Sequence, residues 1–377
     1  MIAVLVLAAL AAPIPVTGQP VSAAAKAYLL ELDSYEHGER DAALAALQGV
    51  NVWDVRQWIT ATLADLDARI FALQAAEVAP AEVARLRQEQ VRVLTLALVV
   101  HTDLVLRIRD PAGLESQLWL CQRILADLRH LKTAEDDEGD RERTALLPVV
   151  RDWYLVVVSH LQYLGNHPYL RGHITAGLAI FNNDPELLLA RGTVAETDAD
   201  LALVDRSLAD AIYTRDFVRR ASDLLRSAAN DYQAALRVQP GLHEATLRLG
   251  RVSRLLGNRG RAKSLYGEIA ASDAAPRLKF LAHLFRGELA ELEKDGTSAE
   301  AEYRAAHALR PGAQSPMLAV SRLCDARGDA ACARGWLRRS FDAVSPDRQD
   351  PWWGYLRGQA WLVGERFAQL RETVLGR

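Results

Sequence analysis

The chain contains little cysteine, little lysine and no long hydrophobic run after its first residues. Three cysteines among 377 residues exclude a disulfide-dense scaffold, and no Cys/His spacing matches a zinc site. Arginine supplies most of the basic residues, and the net charge is −3. The molecule as a whole therefore gives no argument for nucleic-acid binding.

Catalytic signatures are also missing from the sequence. It has no Gly-rich phosphate loop, no His-Glu-x-x-His and no Gly-x-Ser-x-Gly. His101 and Asp103 are two residues apart on a helical pattern, so they point to different faces, and we interpret His101 as a satisfied, half-buried side chain. We predict that the protein is not an enzyme and uses no cofactor or metal.

The composition favours a folded helical protein. Half of the residues are hydrophobic and a quarter are charged, and Ala, Leu and Arg dominate. Asn51 and Pro80 suit helix starts. The acidic run 133–144 predicts an exposed loop. Helical spacing of apolar residues predicts helices over 22–35, 39–48, 53–77, 80–109, 113–131, 145–164 and 168–181.

A small–aromatic–small pattern recurs with a period near 34 residues in the second half. Such residues lie along one stripe of a helix, where small side chains let a second helix approach closely. Pro240 and Pro311 then stop their helices. The copies are Ala228, Tyr232 and Ala235, then Ala262, Tyr266 and Ile269, then Ala299, Tyr303 and Ala306, and a weaker Ala333, Leu337 and Ser340.

This pattern resembles the tetratricopeptide repeat (TPR) family over roughly residues 184–377. In that family a glycine lies on the first helix of each pair, where the two helices touch. The glycines at these positions are Gly192, Gly250, Gly287 and Gly358, with Ser321 in the remaining repeat. The resemblance implies an all-α protein in which an irregular helical region, 19–183, precedes a right-handed TPR-type α–α superhelix of about four pairs, 184–377.

One repeat departs from the family pattern. The spacing from Gly192 to Ala228 contains 24 extra residues, around 194–217. Insertions in such arrays map to loops on one face. The insertion looks partly helical, is acidic and precedes a basic repeat. This charge pattern suggests the hypothesis that it shields a basic groove until a partner displaces it.

The resemblance implies that the first helix of each pair lines a concave groove. Aromatic rings and alternating charges suit an extended peptide or a protein partner. We predict a non-catalytic scaffold. The alternative function is a periplasmic glycan- or solute-binding protein on a similar helical frame. For Trp352 and Trp353 the alternative to partner binding is a hydrophobic cap on the end of the array. The groove candidates are Leu247, Arg251, Arg254, Leu284, Glu288, Glu291, Leu318, Arg322, Asp325, Trp352, Tyr355 and Gln359.

Cys324 and Cys332 flank the turn of one helix pair in this register. Facing positions across a helical hairpin suit a disulfide, and the alternative is two buried thiols. Cys121 lies in a Leu-rich pattern and is predicted to be buried.

An apolar run over residues 2–12 resembles the core of a signal peptide covering 1–18, although no Lys or Arg precedes it. We therefore expect an exported, periplasmic or secreted bacterial protein. The alternative is a cytoplasmic protein whose apolar N-terminus is structural. No later segment has the length and apolarity of a membrane span, and the sequence leaves the oligomeric state open.

Overall fold

The computed structural model describes residues 22–76, 80–131, 137–208, 211–343 and 350–376, which are helical with no strand among them. The all-α prediction is confirmed; the predicted signal peptide and residues 133–136 lie outside the described residues. The helices are α1 (Ala23–Glu36), α2 (Arg40–Leu47), α3 (Val52–Ala75), α4 (Pro80–Arg107), α5 (Pro111–His130), α6 (Asp137–Leu164), α7 (His167–Ile180), α8 (Pro185–Leu208), α9 (Ala211–Val238), α10 (His243–Leu255), α11 (Arg259–Ala271), α12 (Pro276–Leu292), α13 (Gly296–Leu309), α14 (Gln314–Ala326), α15 (Ala330–Asp342) and α16 (Val363–Leu375).

The described chain divides into two compact units. Unit 1 contains the described residues up to Trp153 together with those from Phe367 onward, and unit 2 is Tyr154–Arg366. This division differs from the boundary predicted after residue 183. The boundary between the units lies inside the long helix α6. Because the helix is continuous there, the spacing of its apolar residues does not reveal the boundary.

Side-chain caps fix many of the helix starts. Asn51 Oδ1 accepts the backbone N–H of Trp53 at 2.9 Å, and Asp184 Oδ1 accepts the N–H groups of Glu186 and Leu187. Each cap satisfies a donor that the first helical turn leaves without a partner. The start predicted at Asn51 is thereby confirmed.

Helix α4 is the centre of unit 1. Every residue from Val93 to Val105 is buried, so the helix is covered on all sides. Asp103 lies inside this stretch and accepts hydrogen bonds from Tyr35 at 3.0 Å and from Arg40 at 2.6 and 2.8 Å. His101 is fully buried rather than half-buried, and it is satisfied as predicted. Such pairing is what allows charged and polar groups to be tolerated in a core.

Unit 2 contains four successive helix pairs: α8–α9, α10–α11, α12–α13 and α14–α15. In the first three, a Cβ added to the glycine of the first helix would lie 2.4–2.6 Å from a tyrosine ring of the second. A side chain there would collide with the ring, so glycine is required for the two helices to approach this closely. The predicted TPR-type packing is confirmed by these contacts. The glycine–tyrosine pairs are Gly192–Tyr232, Gly250–Tyr266 and Gly287–Tyr303.

The described residues of the insertion, 194–208 and 211–217, are helical and do not form a loop. They lengthen α8 to 24 residues and α9 to 28, while Gly192 still packs on Tyr232. The additional turns extend the pair by roughly 17–21 Å. The same continuation of helical structure occurs at α6, which begins at Asp137, so the loop predicted over 133–144 is wrong for residues 137–144.

The fourth pair closes differently. Ser321 replaces the glycine, and its hydroxyl donates to the carbonyl of Ala333 at 2.8 Å. The buried aromatic residue of this pair is one position earlier than the pattern predicts, since Trp336 is buried whereas Leu337 is exposed. The weaker copy of the pattern is therefore a different packing solution.

The described residues after α15, 350–376, do not form another helix pair. From Asp350 the chain makes turns and two short 3-10 helices, Tyr355–Arg357 and Ala360–Leu362, before α16. Gly358 has φ +57° and contacts Gln162 and Thr193. Its prediction as a repeat glycine on a first helix is wrong.

Candidate functional site

The C-terminal segment, defined here as residues 350–366, lies along the first helices of unit 2. Asp350 accepts the backbone N–H and the hydroxyl of Ser315 on α14, at 2.7 and 2.5 Å. Further along, Tyr355 packs edge-on against Phe285 on α12, with ring centroids 5.3 Å apart. The segment therefore enters the surface that the repeat register assigns to a partner.

The same segment continues onto α8 and α6. Thr197 donates to the carbonyl of Leu356 at 3.1 Å. The backbone N–H of Gln359 donates to Gln162 at 2.9 Å. Finally, Arg366 binds Glu186 at the start of α8. These contacts hold the segment at both its ends and its middle.

Glu196 on α8 is the centre of this surface and is 0% exposed. Its carboxylate accepts hydrogen bonds from Tyr232 at 2.6 Å, Tyr355 at 2.9 Å, Arg248 at 3.1 Å and Arg251 at 2.8 Å. Burial alone would raise the pKa of Glu196, but the two guanidinium groups outweigh it and lower the pKa below its usual value. A buried carboxylate with this many donors is a permanent part of the packing.

The aromatic ring of Tyr355 completes the cluster. Arg248 lies over this ring at 4.3 Å and Arg251 at 5.2 Å, and Arg248 also donates to the Tyr355 carbonyl at 2.9 Å. Two buried arginines are thus held between a carboxylate and an aromatic face. The hypothesis of a displaceable acidic shield is replaced by this buried network, in which Glu196 and Asp200 pair with the basic repeat.

The structure divides the predicted groove into a covered and an open half. Leu247, Arg251 and Tyr355 lie on the inner face but are buried, so in this structure they offer no accessible surface to a partner. The reason is the return of the C-terminal segment, whose contacts span up to 211 residues of sequence. Leu284 and Gln359 are buried as well.

The open half lies between α12, α13 and α14. It contains a cavity of about 320 Å³, beside which Trp353 is 53% exposed and Leu318 is 39% exposed. The lining residues are Leu284, Glu288, Tyr303, Ser315, Leu318, Ala319, Arg322, Trp352 and Trp353.

Ion pairs form the rim of this cavity. Arg322 binds Glu291 through two hydrogen bonds of 2.6 and 2.7 Å, and Arg254 lies 3.3 Å from Glu288. Burial raises the pKa of Glu288, an effect that Arg254 partly offsets. Five of the predicted groove residues line this cavity, namely Leu284, Glu288, Leu318, Arg322 and Trp352.

Two features of the site were missed from the sequence. Trp353 was interpreted together with Trp352 as a cap, although it is the more exposed of the two rings. Glu196 was read as part of an acidic insertion. A signal was available: Glu196 is four residues after Gly192, one helical turn along the face that packs against the second helix.

Cys324 and Cys332 lie where the register placed them. Their Cα atoms are 5.7 Å apart and the sulfurs are bonded, which joins the end of α14 to the start of α15. Cys121 is buried, as predicted, and burial raises the pKa of its thiol to about 12. That thiol is therefore protonated at neutral pH.

Asp33, Glu36 and His37 form one group of potential metal ligands on α1. Both carboxylates bind Arg92, and the group is largely exposed. The acids are therefore already neutralised by a guanidinium, which gives no support to a metal site. No described helix combines the length and apolarity needed to cross a bilayer.

No family model matches the chain, and no curated protein matches it. It resembles the solved structure of PilW, a widely conserved type IV pilus biogenesis factor, with 15% identity, a TM-score of 0.40, and coverage of 59% of this chain and 92% of that one. For pilF of Pseudomonas aeruginosa the identity is 15%, the TM-score 0.40 and the coverage 60% and 87%. For the P58(IPK) TPR domain these values are 14%, 0.25, 94% and 93%. Likenesses this distant carry no argument; the repeat assignment rests on the glycine–tyrosine packing.

Proposed function

We propose that the protein is a non-catalytic interaction scaffold that binds an extended segment of a partner protein at the open half of its inner face. The observation that carries the proposal is the exposed ring of Trp353 beside an unfilled cavity. Exposed aromatic side chains next to a concave apolar wall are typical anchor points of protein interfaces. The covered half, by contrast, offers no accessible surface.

The dimensions and charge of the open half support a peptide occupant. A cavity of about 320 Å³ is at the small end of ligand pockets and suits one or two apolar side chains. Arg322 remains 63% exposed although it is paired with Glu291. A partner with an apolar anchor and a neighbouring carboxylate would use both features.

A non-catalytic role fits the lining of this cavity. Its nine residues include neither His nor Cys, and its two hydroxyls, on Ser315 and Tyr303, donate to Asp350 and to Glu291. A nucleophile normally needs a base within hydrogen-bond reach that is itself oriented by a third group. The arrangement at Ser315 instead anchors the C-terminal segment.

The proposal places the protein in the bacterial cell envelope. The apolar run over residues 2–12 and the Cys324–Cys332 pairing support this location, because disulfides persist in oxidising compartments. Expression of the full chain, followed by mass measurement of the exported product, tests it. Cleavage near residue 18 supports the location, and an intact chain retained in the cytoplasm contradicts it.

Site-specific photo-crosslinking tests the binding site. A benzophenone side chain replaces Trp353 in the full chain, which is expressed in its native host, and a second copy carries the same group at Leu256, an exposed position between α10 and α11. We expect one discrete crosslinked protein from position 353 and none from 256. Adding Leu318→Glu should abolish the product, because a charge on the cavity wall opposes an apolar anchor.

Two results contradict the proposal. Equal crosslinking from positions 353 and 256 would mean that the open half has no special affinity. A product that persists with Leu318→Glu would mean that the partner does not use the cavity.

A further inference from the structure

A second and larger cavity lies entirely within unit 1. It has a volume of about 930 Å³ and is enclosed by the end of α2, the start of α3, the end of α4 and the start of α5. This volume is typical of small-molecule sites. Its apolar walls include Leu44, Leu47, Val50, Leu104 and Ile108.

Two tryptophans stand at this cavity. The rings of Trp53 and Trp119 are 4.8 Å apart and tilted by 46°, and Arg56 lies 5.6 Å over the Trp119 ring. Trp53 is 63% exposed, although its size favours burial. Both rings line the cavity, and the Trp53 ring is accessible to a ligand.

Two side-chain amides of the lining have their oxygens engaged by the protein. Asn51 Oδ1 accepts the N–H of Trp53. Gln117 Oε1 is 2.7 Å from His101 Nδ1, and His101 Nε2 is 3.0 Å from the Tyr28 hydroxyl.

The buried imidazole fixes the orientation of Gln117. Burial lowers the pKa of His101 to about 4, so the ring is neutral at pH 7 and carries one proton. With Gln117 Oε1 facing Nδ1, that proton lies on Nδ1 and Nε2 accepts from Tyr28. The NH₂ group of Gln117 is then available to donate to a ligand. The NH₂ group of Asn51 is available as well, because the capping bond uses only its oxygen.

The charges of the lining are nearly balanced. Arg107 and Arg109 stand against Asp41, Asp110 and Glu115, and Arg107 already pairs with Asp41 at 3.1 Å. A strongly anionic or cationic ligand therefore finds no net attraction here. Planar carboxylates, amides and guanidinium groups together supply both donors and acceptors.

We propose that this cavity binds a neutral saccharide, with a sugar ring on the exposed face of Trp53 and its hydroxyls bound by Asn51, Gln117 and the neighbouring carboxylates. Each sugar hydroxyl both donates and accepts, which matches the mixed lining. A peptide is a poorer match, because each of its backbone groups only donates or only accepts, whereas each sugar hydroxyl does both. The site is separate from the proposed protein-binding site in unit 2.

Ligand-observed saturation-transfer NMR on the full chain tests the proposal. The probes are maltotriose, cellotriose and chitotriose, each at millimolar concentration, with a proline-rich decapeptide as the competing class. We expect transfer to at least one trisaccharide and none to the peptide. Trp53→Ala should weaken binding by roughly tenfold, the size of a lost aromatic stacking contact, and Gln117→Leu should weaken it as well.

The matched control is Phe71→Ala, which removes a similarly exposed ring from the same helix but outside the cavity lining, and should leave saccharide binding unchanged. Because Trp53 is exposed, its loss should not alter the circular dichroism spectrum, which separates a binding defect from misfolding. Failure of all three trisaccharides to bind overturns the proposal. So does binding that is unchanged in Trp53→Ala, or binding of the peptide in place of the sugars.

Discussion

Replacing Glu196 with alanine removes the carboxylate that joins α8, α10 and the C-terminal segment. The variant leaves Arg248, which is 1% exposed, and Arg251 buried without their shared partner. Removing one member of a buried pair costs about 3–5 kcal/mol. Arg248 retains Glu244 at 3.0 Å and Arg251 retains Asp200 at 2.9 Å, so we expect a value near the lower end of this range.

The destabilisation should couple to Tyr355. Tyr355→Phe alone removes one hydrogen bond to a charged acceptor and should cost about 1.5–3 kcal/mol. In the double variant with Glu196→Ala, the hydroxyl has already lost this acceptor, so the second change should cost much less. The free energy of opening at α10, from native-state hydrogen exchange, gives all four values of the cycle.

Glu293→Ala is the matched control, because Glu293 is exposed and pairs with Lys263 at 3.5 Å. An exposed ion pair contributes at most about 1 kcal/mol, so this variant should differ little from the parent. The reasoning is refuted if Glu196→Ala destabilises α10 no more than Glu293→Ala does, or if the effects of Glu196→Ala and Tyr355→Phe simply add.

Three further outcomes follow from the structure. Gly250→Ala places a Cβ 2.6 Å from a tyrosine ring and should lower the unfolding free energy by about 1–3 kcal/mol. The control is Gly267→Ala, which has no atom within 4 Å of the added Cβ and should be neutral or stabilising. Urea denaturation compares the two variants, and equal losses of stability would contradict the packing. Reducing the disulfide between Cys324 and Cys332 opens a short loop and should lower the free energy of unfolding by about 2–3 kcal/mol. The thermal midpoint of the parent should therefore fall when reductant is added, whereas that of Cys332→Ser should not respond to reductant. An unchanged midpoint in the parent would contradict this prediction. The pKa of His101 is lowered to about 4, so the imidazole takes up a proton near pH 6.5 in the unfolded chain but only near pH 4 in the folded chain. The free energy of unfolding should therefore fall as the pH decreases between those values, by up to about 3 kcal/mol. Denaturation of His101→Gln over the same pH range should lack this part of the pH dependence.

Local sequence patterns were sufficient for most of the fold. The Gly250 and Tyr266 positions predict where two helices touch, because a missing Cβ and a ring that fills the gap are both visible at one fixed spacing. Asn51 and Pro80 marked helix starts for the same kind of local reason. The extra residues after Gly192 were detected by counting, but counting does not tell a loop from two longer helices.

The candidate site was predicted only in part, because its shape depends on contacts between distant residues. The repeat register assigned Arg251, Glu288 and Arg322 to one face correctly. The covering of Arg251 depends on Tyr355 reaching Glu196 across 159 residues, and no local pattern encodes that contact. Single-sequence reasoning identifies the face of a helix but not the later segment that packs on it.

The measurement that tests the account most directly is native-state hydrogen exchange at Gly358 and Gln359. The C-terminal segment stays packed on the inner face, where the Gln359 N–H donates to Gln162 and the Gly358 N–H donates to the Tyr355 carbonyl. We predict that both amides exchange nearly as slowly as those of α10. Exchange at rates close to those of an unfolded chain, while α10 remains protected, would show that the segment leaves the inner face and would contradict the account.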